Sequence, residues 1–529
     1  MPHRVSSHRI SRAGLGILLI VGCLFFCGLF ILLSSSWIIR KFGNGVTAAA
    51  IAWLLSLPLD GVDPVFVNSF LRNILPPSLL LTTCYVFLLY SFSRTLFGIA
   101  RVHEQEGRKE GHLAKWWRYA DRHAKTGTAL LIAIACCAFL ASFAVVQQRH
   151  EMLSWLLAPG QEDSRFFETW YKSVHPEDVV FSRKNNLILI ELESIEETFN
   201  NEKLMGEKLM PKLSALRNEY LSFYGYKPVN GTDWTVAALT GFTLGLPLHK
   251  PDGIQGNVLG NSFLPSAHSI LSVFEKNGYR LFFMLGTNGR FAGQNAMFST
   301  HAPSTKIIDF TWFREHASPD ELQRKRVGGE EERFVEGKSR RVFDATVFDA
   351  AKRQLVSMPT DKPFVFVMQT MDTHTNLCES DRTAQKYNDM RDCIISADAM
   401  AYDFARWAMA QPFASHTTIV LMGDHPIMQD SFGDISLPES KWERETYNVF
   451  INPVPVLKPH DQHRVFASFD MAPTLLEAVG ARLPDGRFGI GTSLFHTQTK
   501  TLLETTGIEY YEQEMKKGSA LYRSFHKER

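Results

Sequence analysis

The sequence predicts an α/β domain with a central, mostly parallel sheet, preceded by a helical membrane region. Long uncharged segments near the N-terminus indicate the membrane region, and short apolar runs that alternate with helix-like segments indicate the sheet. A chain of 529 residues is also too long for one small core. We expect four parts: a membrane region over 1–148, a linker over 149–185, an α/β domain over 186–500 and a tail over 501–529.

Three uncharged segments in the first 150 residues are long enough to cross a bilayer. They lie at about 14–39, 73–93 and 126–148. Roughly 20 apolar residues span the hydrocarbon core, so each segment predicts one transmembrane helix. The first is longer than the apolar core of a cleaved signal peptide, which indicates an uncleaved anchor.

The basic residues predict the orientation of these spans. The loop over 94–125 holds eight arginines and lysines, and the residues before the first span hold three arginines. Because positive loops stay in the cytoplasm, both should lie inside, and residues 149–529 should lie outside. Two crossings then separate the N-terminus from the loop, so 42–60 is expected to be a re-entrant or interfacial segment. Overall charge is balanced, with 56 basic and 55 acidic residues, and does not point to nucleic acid.

Five short apolar runs are the strand candidates of the α/β domain. They are Asn186–Glu191, Arg280–Met284, Phe364–Met368, Thr417–Met422 and Tyr447–Ile451. Continuous apolar runs of this length are typical of strands covered on both faces. Helix-like segments, including Asp344–Leu355 and Ala397–Ala410, lie between them, as in a parallel sheet.

Charged or polar side chains follow three of these runs. Glu193 comes just after the first strand, Asp372 and His374 come shortly after the third, and Asp424 and His425 come just after the fourth. The carboxyl ends of parallel strands meet at one edge of a sheet, where ligands and metals bind. Two carboxylates and one imidazole would supply three ligands to a divalent ion. The alternatives are a helix-terminal carboxylate for Glu193 and simple loop capping for the Asp-His pair.

A hydroxyl-bearing turn is the candidate for a nucleophile. The segment 230–241 predicts a tight turn that opens a helix, with Thr232 and Thr235 near its start. A threonine there could approach a metal and sit among backbone N–H groups that favour a phosphate. Either threonine could instead serve only as a helix N-cap.

Cys378 and Cys393 are the two cysteines of the predicted exported part. Their location suggests one disulfide. Two free buried thiols are the alternative.

Several motifs, taken in order, resemble the alkaline-phosphatase/sulfatase superfamily. They are Leu192-Glu-Ser194, Gly231-Thr-Asp-Trp-Thr235, Gly245-Leu-Pro247, Phe291-Ala-Gly293, Asp372-Thr-His374, Gly423-Asp-His425 and Phe469-Asp-Met-Ala-Pro-Thr-Leu-Leu476. The branch they resemble is that of membrane-bound phosphoglycerol transferases, including periplasmic glucan phosphoglycerol transferases and lipoteichoic acid synthases. The resemblance implies a sulfatase-like catalytic domain over 186–500.

Carried over residue by residue, the resemblance implies roles for nine side chains. It implies Thr232 as the covalent nucleophile and a metal ligand, because the family pattern places the nucleophile three residues ahead of a second hydroxyl, here Thr235. It implies Glu193, Asp424 and His425 as the other metal ligands and His374 as the residue that handles the leaving-group proton. Four residues are implied to shape the substrate pocket: Thr235, Arg290, Phe291 and His301.

The chain departs from the family pattern at two places. Gln294 stands where relatives often carry a lysine, and Arg340-Arg341 stands where Trp-Gly is usual.

The resemblance implies a metal-dependent transferase at the outer face of a bacterial inner membrane. It would move phosphoglycerol from phosphatidylglycerol to a cell-envelope glycan through a phospho-threonine intermediate, with Mn²⁺ as the expected ion and Mg²⁺ or Zn²⁺ as alternatives. One alternative is a phosphoethanolamine transferase that takes its headgroup from phosphatidylethanolamine. Another, from a different class, is an inactive membrane scaffold or glycan-binding relative.

Overall fold

A computed structural model describes most of the chain. The described residues are 12–42, 51, 64–106, 112–150, 152–153, 163–249, 262–318, 341–374, 378, 390–427, 431–432, 435–438, 441–457 and 459–527. They form two compact units, one built from the N-terminal helices and one from the residues that follow. The segment expected to be re-entrant, 42–60, lies almost wholly outside the described residues.

The first unit consists of three long helices: α1 (Arg12–Phe42), α2 (Pro64–Glu106) and α3 (His112–His150). Each contains a stretch long and apolar enough to cross a membrane: Leu18–Arg40, Asn68–Ser91 and Thr126–His150. These stretches agree with the three spans predicted from the sequence. The rings of Phe25 and Tyr85 stack between α1 and α2 at 4.1 Å.

The second unit contains twelve strands among its described residues. They are β1 (Val180–Phe181), β2 (Asn186–Leu192), β3 (Tyr224–Tyr226), β4 (Arg280–Leu285), β5 (Lys306–Ile308), β6 (Phe364–Gln369), β7 (Thr417–Gly423), β8 (Asn448–Ile451), β9 (His463–Phe466), β10 (Ala481–Arg482), β11 (Arg487–Phe488) and β12 (Gly491–Thr492).

Helices of the second unit connect and cover these strands. They are α4 (Phe166–Trp170), α5 (Glu202–Met205), α6 (Pro211–Glu219), α7 (Thr235–Leu244), α8 (Ile270–Lys276), α9 (Gln294–His301), α10 (Phe310–His316), α11 (Asp344–Val356), α12 (Met390–Met409), α13 (Ser468–Ala478), α14 (Leu502–Thr506), α15 (Ile508–Glu514) and α16 (Ala520–Ser524).

The main sheet has six strands in the order β5-β4-β6-β2-β7-β8. The first five are parallel, and β8 pairs antiparallel with β7 at one edge. This confirms the predicted mostly parallel sheet. All five strand candidates occur in it, and β2 lies at its centre between β6 and β7.

Alternate residues of the central strand face two different hydrophobic cores. Leu187 and Leu189 of β2 belong to the core that contains α7 and α13, whereas Ile188 and Ile190 belong to the core that contains α11 and α12. Helices therefore cover both faces of the sheet, which explains why its strands are continuously apolar. The side chains that follow Leu189 on the same face point toward α7.

The structure differs from the sequence-based division at both ends of the α/β domain. Residues expected to be linker include β1, which pairs with β10, and Phe167, which is buried in a hydrophobic core. Residues expected to be tail include α14 to α16, with Tyr511 and Tyr522 fully buried in the same core. Neither segment has the long apolar periodicity that would have predicted its packing.

Cys378 and Cys393 form a disulfide with Cα atoms 5.3 Å apart. The bridge confirms the pairing suggested by the sequence. It ties the segment after β6 to the first turn of α12.

Candidate metal centre and active site

The strand ends that carry the candidate ligands are neighbours in the sheet. Leu192, the last residue of β2, pairs with Gly423, the last residue of β7. Glu193 and Asp424 follow these two residues and therefore leave the sheet side by side. The sheet pairing explains how residues more than 200 positions apart in the sequence form one site.

Glu193, Asp424 and His425 form a buried cluster that could hold a metal ion. The Nε2 atom of His425 lies 3.4 Å from Oε1 of Glu193 and 3.4 Å from Oδ2 of Asp424. Ligand atoms bound tetrahedrally at about 2.1 Å from an ion lie about 3.4 Å apart, so these distances fit a divalent cation. All three residues are buried, with at most 7% of their surface exposed.

The backbone around the cluster holds both carboxylates in place. Ser194 adopts a left-handed conformation with φ of 58°, uncommon for a residue other than glycine. In this conformation, its amide donates to Oδ1 of Asp424 at 2.8 Å and its hydroxyl donates to Oε1 of Glu193 at 2.6 Å. At Gly423 a Cβ atom would lie 1.9 Å from the carbonyl oxygen of Ile195. Glycine is therefore required beside Asp424.

The imidazole of His425 is oriented for metal binding. Its Nδ1 atom lies 2.9 Å from the carbonyl oxygen of Pro426, which can only accept a hydrogen bond. Nδ1 therefore carries a proton, and Nε2 faces the carboxylates. A histidine ligand is commonly fixed by a hydrogen bond of this kind.

The electrostatics of the cluster favour a bound cation. Burial, together with the nearby carboxylate of Glu193, raises the pKa of Asp424 to about 7. Burial alone would lower the pKa of His425, but the carboxylates of Asp424 and Glu193 outweigh it and raise that pKa. Both shifts show excess negative charge in a dry site, and a divalent ion would neutralise that charge.

Thr235 contacts this cluster directly. Its Oγ1 atom lies 3.2 Å from Oε2 of Glu193 and 3.2 Å from Nε2 of His425. Thr235 is the first residue of α7, where the unpaired amides and the helix dipole favour an anion.

Thr232 does not join the cluster, contrary to the expectation carried over from the family pattern. Its hydroxyl donates to the carbonyl oxygen of Val229 at 2.9 Å and accepts from the amide of Val229 at 3.1 Å. Thr232 thus closes the turn before α7, next to Gly231 with its φ of 80°. The expectation for Thr232 required α7 to begin at that residue, but α7 begins three residues later, at Thr235. The start of the apolar run at Val236 was the sequence signal for that boundary.

His374 follows β6, at the same edge of the sheet as the cluster. Met371 to His374 form a turn in which the amide of His374 donates to the carbonyl oxygen of Met371 at 3.0 Å. The neighbouring Thr373 donates its hydroxyl to the carbonyl oxygen of Glu193. The turn that carries His374 is thus bonded directly to a residue of the cluster.

The structure places the expected pocket residues after β4, whose carboxyl end lies at the same edge. Arg290 is exposed, and Phe291 is half-buried and packs against the hydrophobic core. His301 is buried at the end of α9, where its Nε2 atom lies 2.9 Å from the carbonyl oxygen of Phe263. Their substrate roles remain expectations.

Ser194 and Asp344 are site residues that sequence reasoning missed. Ser194 is the last residue of the Leu192-Glu-Ser194 motif, so the sequence offered its hydroxyl as a signal. Asp344 begins α11, and its carboxylate accepts from the amides of Met371 and Asp372. Nothing local in the sequence indicates this long-range pairing.

The fold and the cluster place the chain among α/β proteins that could bind a divalent ion at the carboxyl edge of a parallel sheet. More specifically, the chain belongs to the sulfatase family, whose model matches residues 185–481.

Phosphoglycerol transferase I of Salmonella paratyphi B is similar to this chain, with 25% identity over 331 residues. The match covers 61% of this chain and 40% of the relative, so the chain spans well under half the length of this curated relative.

Two solved structures are also similar. The lipooligosaccharide phosphoethanolamine transferase A of Neisseria meningitidis, an integral membrane protein, has a TM-score of 0.45 and 11% identity, with 88% of this chain and 84% of that chain covered. The lipoteichoic acid synthase LtaP of Listeria monocytogenes has a TM-score of 0.43 and 15% identity, with 60% and 76% covered.

Proposed function

We propose that this protein is a metal-dependent phosphoglycerol transferase that moves the headgroup of phosphatidylglycerol to a cell-envelope glycan. The observation that carries the proposal is the position of Thr235. Its hydroxyl lies 3.2 Å from both Glu193 and His425 at the start of α7. The similarity to phosphoglycerol transferase I supports the choice of headgroup.

Glu193, Asp424 and His425 would hold the ion, with the Thr235 hydroxyl beside them. When bound, a divalent ion lowers the pKa of such a hydroxyl, so that its proton is lost to solvent, and it neutralises charge on a phosphate oxygen. Mn²⁺ is the ion we propose, and Mg²⁺ and Zn²⁺ also suit carboxylate and imidazole ligands.

In the first chemical step, Oγ1 of Thr235 attacks the phosphorus of the lipid. The bond between Oγ1 and phosphorus forms as the bond from phosphorus to the diacylglycerol oxygen breaks, and His374 gives that oxygen a proton. The first amides of α7 favour the phosphate, because they lie at the positive end of the helix dipole.

In the second step, a glycan hydroxyl displaces Thr235. His374, now neutral, accepts the proton of the glycan hydroxyl as the new bond to phosphorus forms, and Thr235 is regenerated. The phosphoglycerol group thus passes to the glycan without release to water.

The three apolar helices would keep the transferase beside its lipid donor. We propose that they cross the bacterial inner membrane and that the second unit faces the periplasm, as the basic loop over 94–125 indicates. Confinement to the bilayer surface raises the effective concentration of a donor that never leaves the membrane.

Intact-mass analysis tests this proposal. The full chain, purified in detergent with Mn²⁺, is incubated with phosphatidylglycerol or, separately, with phosphatidylethanolamine, and no glycan acceptor is added. We expect a phosphoglycerol adduct with the first lipid that is absent from Thr235→Ala and present in Thr232→Ala.

Other results identify other functions. A phosphoethanolamine adduct alone would assign the donor to phosphatidylethanolamine and overturn the proposal. No adduct with either lipid and no bound metal would favour an inactive scaffold or glycan-binding protein.

A further inference from the structure

The turn that carries His374 is held from two sides. Its first residue, Met371, accepts the amide of His374 at 3.0 Å and so closes a β-turn. Turns at the end of a strand are often mobile. This one has several long-range hydrogen bonds, and their partners divide into two groups.

The first group ties the turn to the strand that carries a proposed metal ligand. The amide of Glu193 donates to the hydroxyl of Thr370 at 2.9 Å, and the hydroxyl of Thr373 donates to the carbonyl oxygen of Glu193. The amide of Thr370 donates to the carbonyl oxygen of Glu191 at 3.0 Å. The turn and Glu193 are therefore positioned together.

The second group comes from the segment that opens α11. Asp344 is buried, and its carboxylate accepts from the amides of Met371 at 2.8 Å and Asp372 at 2.9 Å. The amide of Asp344 lies 3.3 Å from Oδ2 of Asp372, which returns the interaction. Nη1 of Arg341 lies 3.3 Å from the carbonyl oxygen of Met371. Both the amide and the carbonyl of Met371 are thus bonded to this segment.

The charge of Asp344 is costly in this position. Burial raises the pKa of Asp344 to about 6, while the two amides and Arg341 oppose the shift. The carboxylate of Glu193 adds slightly to the increase. Through its hydrogen bonds to the amides of Met371 and Asp372, Asp344 connects the turn to α11.

We propose that Asp344, assisted by Arg341, is a positioning residue that sets the place of His374 relative to Glu193 and so controls protonation of the leaving group. This inference rests on the proposed function. Asp344 acts through the backbone of the turn and contacts no reacting atom. Its effect should therefore depend on how much the leaving group needs a proton.

Asp344→Asn is the primary test, because asparagine keeps one acceptor oxygen but leaves one amide of the turn without its partner. The full chain is assayed for adduct formation with two donors. Phosphatidylglycerol releases an alkoxide that needs a proton, whereas a p-nitrophenyl ester of phosphoglycerol releases a phenolate that departs without one. General acid catalysis is worth about 10²–10⁴-fold, so we expect a loss of about 10–100-fold with the lipid and less than about threefold with the ester.

Three further variants sharpen the test. Arg341→Met removes the guanidinium at a half-buried position and should show the same selectivity with a smaller loss. His374→Ala should show the largest selectivity of the series. Asp361→Asn is the matched control, because it removes a carboxylate paired with Arg280 at the opposite edge of the sheet and should change neither rate.

Amide hydrogen exchange supplies a readout independent of catalysis. In Asp344→Asn, exchange should be faster over 370–374 and unchanged over β7. An equal loss with both donors, or unchanged exchange over the turn, would overturn the positioning role. If the wild-type chain forms no adduct with any donor, the proposed function fails. If the exchange result holds in that case, Asp344 still fixes the position of the turn.

Discussion

Oγ1 of Thr235 and Nε2 of His425 lie 3.2 Å apart, although 190 residues separate them in the sequence. The contact exists because α7 packs against one face of the sheet and begins, at Thr235, near the end of β7. The contact places the proposed nucleophile beside a proposed metal ligand.

Replacement of the two neighbouring threonines should therefore have unequal effects. Thr235→Ala removes the hydroxyl that contacts Glu193 and should lower turnover by at least about 10³-fold, as expected for loss of a covalent nucleophile. Thr232→Ala removes both hydrogen bonds between the hydroxyl and Val229 and should cost about 1–2 kcal/mol of stability with most activity retained. Turnover and the unfolding midpoint of both variants check this expectation, and the reverse ranking of activities would contradict it.

Metal removal should destabilise the α/β unit. An ion that binds only the folded chain adds about 2.7 kcal/mol at a concentration 100-fold above its dissociation constant. We expect chelation to lower the unfolding temperature and Mn²⁺ to restore it, with Mg²⁺ and Zn²⁺ as comparisons. Glu193→Gln should abolish the increase, and Asp361→Asn should keep it, because that carboxylate pairs with Arg280 at the opposite edge of the sheet. An equal increase in Glu193→Gln would place the ion elsewhere.

The buried pair of Arg444 and Glu196 should stabilise the loop after His425. Nε and Nη2 of Arg444 each lie 2.8 Å from the carboxylate of Glu196, and Nη2 also donates to the carbonyl oxygen of Ile427 at 2.7 Å. Arg444→Met leaves a buried carboxylate unpaired and should cost about 3–5 kcal/mol. The double variant with Glu196→Leu should regain much of that loss in the same denaturation experiment. If the double variant is no more stable than Arg444→Met, the pair does not act as a unit.

Asp398 provides a prediction about pH. Asp398 lies on α12, and its carboxylate accepts from the amides of Leu213 at 2.7 Å and Lys212 at 3.1 Å. It therefore caps the N-terminal end of α6. Burial raises the pKa of Asp398 from its ordinary value of 3.8 to about 6, although these amides oppose the shift. The folded chain therefore binds this proton more tightly than the unfolded chain does, and the contribution of Asp398 to stability falls as pH rises between these two values.

Comparison with Asp398→Asn isolates this contribution, because all other groups are unchanged. The unfolding temperature of Asp398→Asn minus that of wild type should increase from pH 4 to about pH 6 and then stay constant. Parallel curves over this range would show that the pKa of Asp398 is not raised.

The sequence predicted the sheet because burial on both faces leaves a strong signal. The run Asn186–Glu191 could be recognised as a strand covered on both faces, since both of its faces contact helices. The antiparallel direction of β8 left no such signal, because a short apolar run looks the same in either direction. The ends of the domain were missed since β1 and α14 are short and are held by packing with distant residues.

The site was predictable where a residue type alone specifies its chemistry. Glu193, Asp424 and His425 are metal-binding types at strand ends, and the sheet brings them together. The choice between Thr232 and Thr235 depended on where α7 begins, and a helix boundary is uncertain by several residues from sequence alone. The hydrogen bonds of Asp344 are to residues 27 and 28 positions away, which no local pattern specifies.

Localisation of the phosphoglycerol adduct tests the central claim most directly. The full chain is incubated with phosphatidylglycerol and Mn²⁺, quenched in acid and digested, and the peptide that contains both threonines is sequenced by tandem mass spectrometry. We expect phosphoglycerol on Thr235, 3.2 Å from His425 in the structure. Phosphoglycerol on Thr232 would contradict the account.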